Sequence, residues 1–139
     1  MSKQLSIKKL QSIKGTVVHG RKEGRKIGFP TANIQTNLDL STLDQGIYAS
    51  RIKVLGNWYI SATSYGNAPV FDFWQVVLET HILDFDLDIY DQEVELELVQ
   101  FIRPVMKFDS LESLIVQIEK DCEKVRELTK SKKVAIIKQ

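Results

Sequence analysis

The residues of this 139-residue chain best suited to chemistry lie in "GRKIGFPTANIQ", residues 24–35. Pro30, Thr31 and Asn33 interrupt a run that otherwise reads as extended, and Asn is among the residues depleted from strands that only pack. Pro30 pushes Phe29 into an extended conformation. Thr31 and Asn33, two apart on an extended chain, then point to the same side. That pairs a hydroxyl with an amide oxygen, two hard neutral donors. Mg²⁺ takes oxygen ligands, keeps several waters and often completes its shell with substrate phosphates. Two neutral protein ligands suffice where a nucleotide's phosphates carry the charge. The other reading is a Pro-Thr turn with the Asn side chain bonded to backbone.

Upstream, Gly20, Gly24 and Gly28 recur every fourth residue among Arg21, Lys22, Arg25 and Lys26. No Gly-Lys-Ser/Thr follows, so this is not a P-loop. The spacing also differs from the dinucleotide fingerprint. Glycines beside cations let backbone amides and charge approach an anion; hairpin or bulge glycines are the alternative. Glu79 is the third candidate. Unbroken alternation places it with His81, Leu83, Phe85 and Leu87 on the apolar face of a strand, where a carboxylate needs a partner or a function. Desolvation there favours a general base, and a satisfied structural Glu is the competing reading. His81 reads as a packed or hydrogen-bonded His, because two histidines without a Cys pair do not make a zinc site.

These residues need strands to hold them. "GTVVHG" (15–20) is a β-branched run bounded by glycines, and "GIYASRIKVLGNWYISATSYG" (46–66) reads as two strands around Gly56-Asn57. Leu83 to Ile89 alternates with Asp84, Asp86 and Asp88 facing away. In "EVELELVQFI" (93–102), Val94, Leu96 and Leu98 share a face. Short strands between turn signals predict an antiparallel barrel or sandwich. The last third changes period: Leu111, Leu114, Ile115, Ile118, Cys122, Val125 and Leu128 form one helical stripe. Asp109 and Glu112 suggest a capping box, and the helix is expected from about Ser110 to about Leu128.

Composition sets the frame. Length predicts a single domain over 1–139, with 43% hydrophobic and 27% charged residues as in globular proteins. A net charge of +1 supplies no field for nucleic acid or membrane. Acidic strand faces further disfavour a nucleic-acid groove, and no apolar run approaches the roughly 20 residues of a membrane span. The lone Cys122 fits a reducing compartment, and the cytoplasm is the expected address.

"GTVVHGRKEGRKIGFPTANI", "LETHILDFDLDIY" and "FIRPVMKFDSLESLIVQIEKD" together resemble the riboflavin kinase (flavokinase) family, over a core of about 15–128. The resemblance implies a mainly β fold, a six-stranded antiparallel Greek-key barrel with a C-terminal α-helix. It also implies γ-phosphate transfer from ATP to riboflavin, giving FMN and ADP. By the same resemblance Thr31 and Asn33 would hold Mg²⁺ and ATP, and Glu79 would be the catalytic base. Gly20, Arg25 and Lys26 would surround the phosphates, with Ile82, Asp84 and Tyr90 bordering the nucleotide. Arg103, Met106 and Ser113 would close over the flavin. A non-catalytic flavin-binding or regulatory barrel is the alternative, and it would not need Glu79, Thr31 and Asn33 together.

Two departures from the family pattern stand out. Asp91 replaces a common Gly after the Asp-x-Tyr segment. "VFDFWQVV" (70–77) replaces an expected polar loop, giving a segment expected to pack one side on the barrel and turn the other to the flavin site or a homo-oligomer contact, the alternative being a longer buried strand. Many bacterial members of the family also carry an FMN adenylyltransferase domain, so fusion to or association with one is expected.

Overall fold

The computed structural model describes residues 12–19, 28–70 and 73–131, side chains of 68–75 and 130–131 excepted. Six strands close into an antiparallel barrel: β1 (Ile13–Val18), β2 (Ala32–Gln35), β3 (Gly46–Val54), β4 (Asn57–Val70), β5 (Phe73–Ile82) and β6 (Glu93–Pro104). Around the barrel the order is β1-β2-β5-β4-β3-β6. Strands β3, β4 and β5 form a meander, while the β2–β3 and β5–β6 connections cross to non-neighbouring strands. Among the described residues one helix, α1 (Leu111–Ser131), packs outside the wall.

Alternation places the core. Ile13, Val17, Tyr48, Ile52, Val54, Leu96 and their neighbours point inward and are buried. The interior also holds a hydroxyl layer: the Ser50 Oγ lies 2.8 Å from Ser61 Oγ and 2.7 Å from Thr63 Oγ1, and Thr63 meets Thr80 at 2.9 Å. All four side chains are fully enclosed, and their hydroxyls are satisfied by one another and by the Ser61 and Ala62 carbonyl oxygens, which accept from Ser50 and Thr80. Gly46 is needed where β3 meets a bulged stretch of β6: a Cβ there would stand 2.4 Å from the Arg103 carbonyl oxygen and 2.5 Å from the Phe101 ring.

Three expectations are revised. The alternation from Leu83 to Ile89 is not strand, because β5 ends at Ile82 and Asp84 adopts φ 55°. The chain then continues irregularly, with Leu87 60% exposed. The β3–β4 turn is centred on Leu55-Gly56, one residue early, with φ of 53° and 84°. Those left-handed values fit a type I′ hairpin turn. The N-cap is Ser110 rather than Asp109: the Ser113 N–H donates to Ser110 Oγ at 3.1 Å. Segment 70–77 extends the two strands, β4 and β5 pairing outward as far as Val70↔Phe73. Residues 71–72, and the side chains of Phe73 and Trp74, lie outside the described residues, and with them most of the expected flavin or subunit contact.

Only half of the helical stripe packs as core. Val125 is buried against Ala49 and Leu83, with Cys122 and Leu128 beside it. Leu111, Leu114 and Ile118, one to three turns earlier, instead line a cavity against the barrel wall.

Candidate active site: two cavities that meet at Thr31

Register builds the site. On the outer face, Asn33 of β2 pairs with Glu79 of β5, Glu79 with Ser64 of β4, Ser64 with Ile47 of β3, and Ile47 with Arg103 of β6. At roughly 4.8 Å between strands, this row carries Asn33, Glu79 and Arg103 across one wall. Glu79 therefore does not face the core; Leu78, Thr80 and Ile82 do. The sequence pattern misassigned its face because the alternation it extended past Ile82 is not strand. Glu79 is half-buried on the outside instead.

Thr31 stands just before β2, beyond the last ladder pair Ala32↔Thr80. Gly28, at φ +90°, turns the chain into Phe29-Pro30-Thr31. Phe29 meets the edge of the His81 ring at 5.5 Å and 75°. The His81 Nδ1 lies 2.8 Å from the Pro30 carbonyl oxygen.

Two cavities open on this wall. The larger, about 670 Å³, lies between the outer strand face and the first half of α1, and is lined by Phe29, Thr31, Glu79, His81, Arg103, Met106 and apolar helix residues. The smaller, about 320 Å³, lies between Pro30–Ala32 and the irregular segment 85–90. That segment is anchored by Asp91 N–H to the Val17 carbonyl at 2.8 Å and by the Tyr90 N–H to Asp88 Oδ1 at 3.1 Å. The His19 ring stacks on Tyr90, 3.9 Å between centroids and 16° from parallel. Among the described lining residues, Thr31 alone belongs to both cavities.

The expected site residues divide accordingly. Thr31, Glu79, Arg103 and Met106 line the larger cavity, and Ile82 and Tyr90 join Thr31 in the smaller. Asn33 is adjacent to Glu79 by register. Asp84 lines neither: its carboxylate accepts from both Arg126 terminal nitrogens, at 2.9 and 3.1 Å, and that bond holds its pKa below the usual carboxylate range. Ser113 is likewise engaged in the helix cap, its hydroxyl 3.1 Å from the Ser110 carbonyl oxygen. Gly20, Arg25 and Lys26 lie outside the described residues.

Sequence reasoning missed Asp121. Buried to 5% exposure on α1, it accepts from Arg103 Nε at 2.9 Å and Arg103 Nη2 at 2.7 Å, and from Gln117 at 3.1 Å. The Arg103 guanidinium, which also lies over the Phe108 ring at 5.9 Å, thus ties β6, the 105–110 loop and α1 into the rim. Cys122 also lines the cavity, but burial pushes its thiol pKa up, away from thiolate chemistry.

Comparison with known proteins bears on the fold and the family. A bifunctional riboflavin kinase/FMN adenylyltransferase of Listeria monocytogenes is 46% identical over 109 residues, 78% of this chain and 35% of that protein. The chain thus spans about a third of the length of that curated relative. A solved structure titled riboflavin kinase from Trypanosoma brucei matches at TM-score 0.62 and 27% identity, covering 86% of this chain and 76% of that one. Another, titled macrolide-efflux protein from Streptococcus pneumoniae, matches at TM-score 0.72 and 35% identity over 83% of this chain and 38% of that one. The riboflavin kinase family model matches residues 8–129. With its barrel and that match over most of its length, the chain belongs to the riboflavin kinase (flavokinase) family.

Proposed function

We propose that this chain transfers the γ-phosphate of ATP to the ribityl 5′-hydroxyl of riboflavin, giving FMN and ADP. The observation that carries the reading is the meeting of two ligand-sized cavities at Thr31, with Glu79 on the wall of the larger. The nucleotide occupies the smaller cavity, its phosphates running towards Thr31. Riboflavin occupies the larger, its ring between the barrel wall and the apolar side chains of α1 and its ribityl chain directed at Glu79.

Transfer forms a bond from the ribityl oxygen to the γ-phosphorus and breaks the bond to the β–γ bridging oxygen. ADP leaves with that electron pair, and Glu79 accepts the hydroxyl proton. Little covalent work falls to the protein; positioning and charge compensation dominate. A divalent cation fits the donors present. Thr31 Oγ1 and Asn33 Oδ1 would hold it, both hard oxygens on half-buried residues next to Glu79. Among the described residues no group of three His, Cys, Asp or Glu forms a metal site, so phosphate oxygens would complete the shell. When bound, Mg²⁺ neutralises phosphate charge; Asn33 and Thr31 set where that charge is met.

A cytoplasmic setting suits the single thiol. Fusion to or association with an FMN adenylyltransferase domain is proposed by analogy with the bifunctional relatives. The test is incubation with riboflavin, ATP and Mg²⁺, with products separated by chromatography. FMN is expected with the cation and not in excess EDTA. No FMN under any cation removes the reading, and undiminished turnover in EDTA removes the metal role.

A further inference from the structure

We propose that His81 is a positioning residue that fixes the peptide carrying Thr31, and through it the place of the metal–nucleotide. The inference rests on the kinase reading for its consequence, but its physical basis is local. The β2–β5 ladder ends at Ala32↔Thr80, so no strand pairing holds the 30–31 peptide. The Pro30 ring fixes φ near −65° and removes one donor. Its ψ is then the soft torsion that swings Thr31, and ψ sets where the Pro30 carbonyl points. The His81 Nδ1, 2.8 Å from that carbonyl oxygen, restrains this torsion from the neighbouring strand, 51 residues away in sequence.

A carbonyl oxygen only accepts, so Nδ1 carries the proton and, in the neutral ring, Nε2 keeps its lone pair. Phe29, edge-on to the ring at 5.5 Å, limits its rotation from a second direction. The ring is thus held between the two residues that precede Thr31, beside Glu79 on the same outer face. Gly28, at φ +90°, leads into this segment in a left-handed conformation that glycine adopts without strain.

Two substitutions of similar size separate this role from simple wall packing. In His81→Asn the amide nitrogen falls near the place of Nδ1 and keeps a donor for Pro30; in His81→Gln the donor sits one carbon further out. Calorimetric affinities for Mg-ADP and for riboflavin supply the readout. The Gln variant is expected to weaken Mg-ADP by about three- to tenfold, the net worth of one hydrogen bond, with Asn restoring it to within about twofold. Riboflavin affinity is expected to change less than nucleotide affinity in both. Equal losses in the Asn and Gln variants, or a riboflavin loss as large as the nucleotide loss, overturn the proposal. The ¹⁵N shifts of the imidazole in the free wild-type protein give a second reading that needs no turnover. In the neutral ring a protonated Nδ1 with a bare Nε2 is expected, and the opposite tautomer refutes the pin. Wild-type protein that makes no FMN would remove the kinase reading alone, leaving both of these measurements interpretable.

Discussion

A hydroxyl and an amide two residues apart are weak ligands taken singly, and a carboxylate on an outer barrel face is an ordinary feature. What gives Thr31, Asn33 and Glu79 chemical meaning is that the β2–β5 register sets Asn33 directly beside Glu79. Glu79→Gln keeps the shape and removes the base. We expect kcat for FMN formation to fall by about 10²–10⁴ with Mg-ADP affinity nearly unchanged; a fall below about tenfold would make Glu79 structural. Thr31 and Asn33 could be singled out from the sequence because a hydroxyl and an amide stand where packing alone would select Val or Ile. Asp121 and the His81 pin were not, since each draws its role from a partner brought close only by folding. Asp84 misled for the opposite reason. Three aspartates in alternation look like a solvated strand face, but the chain turns left-handed at Asp84 and delivers it to Arg126.

Among the elements, α1 does two jobs. Its second half packs as core, and its first half forms a cavity wall that is joined to β6 by the Arg103–Asp121 pair. The two side chains are 14% and 6% exposed, so removing one partner strands a nearly buried charge. Asp121→Ala is expected to cost about 3–5 kcal/mol, visible as a lower denaturant midpoint, and to raise the riboflavin KM more than the ATP KM. An unchanged riboflavin KM in a folded variant would confine the pair to stability. The helical stripe itself was plain in the sequence, but periodicity cannot say whether an apolar side chain meets a core or a ligand space. The β3–β4 hairpin was also readable, apart from its centre. Leu55 sits at φ 53° and is exposed, a conformation that costs an L-residue roughly 1 kcal/mol and that Asn tolerates better. Leu55→Asn should therefore raise stability by about 0.5–1 kcal/mol without touching activity; a lower midpoint would show that Leu55 packs in a way its exposure conceals.

At the scale of the whole molecule, the barrel is a closed wall on which two ligand spaces adjoin. The interior supports this with the Ser50–Ser61–Thr63–Thr80 layer, a run of small hydroxyl residues whose inward direction follows strand alternation but whose mutual bonding needs the closed sheet. Thr80 borders the smaller cavity and Thr63 the larger, so the bonded pair links the two from inside the wall. Separate cavities predict separate contributions to stability. A ligand at about 100 times its dissociation constant stabilises the native state by about 2.7 kcal/mol. At about 2.1 cal/mol/K per residue this raises the Tm of a domain this size by roughly 9 °C. Riboflavin and Mg-ADP should each give a shift of that order, and together a shift near the sum or beyond it. Omitting the metal should remove most of the nucleotide's shift and leave riboflavin's intact, because in the proposed function only the nucleotide is met through Thr31 and Asn33. A combined shift no larger than the better single ligand would mean that both compete for one space, and the division of the site at Thr31 would be wrong.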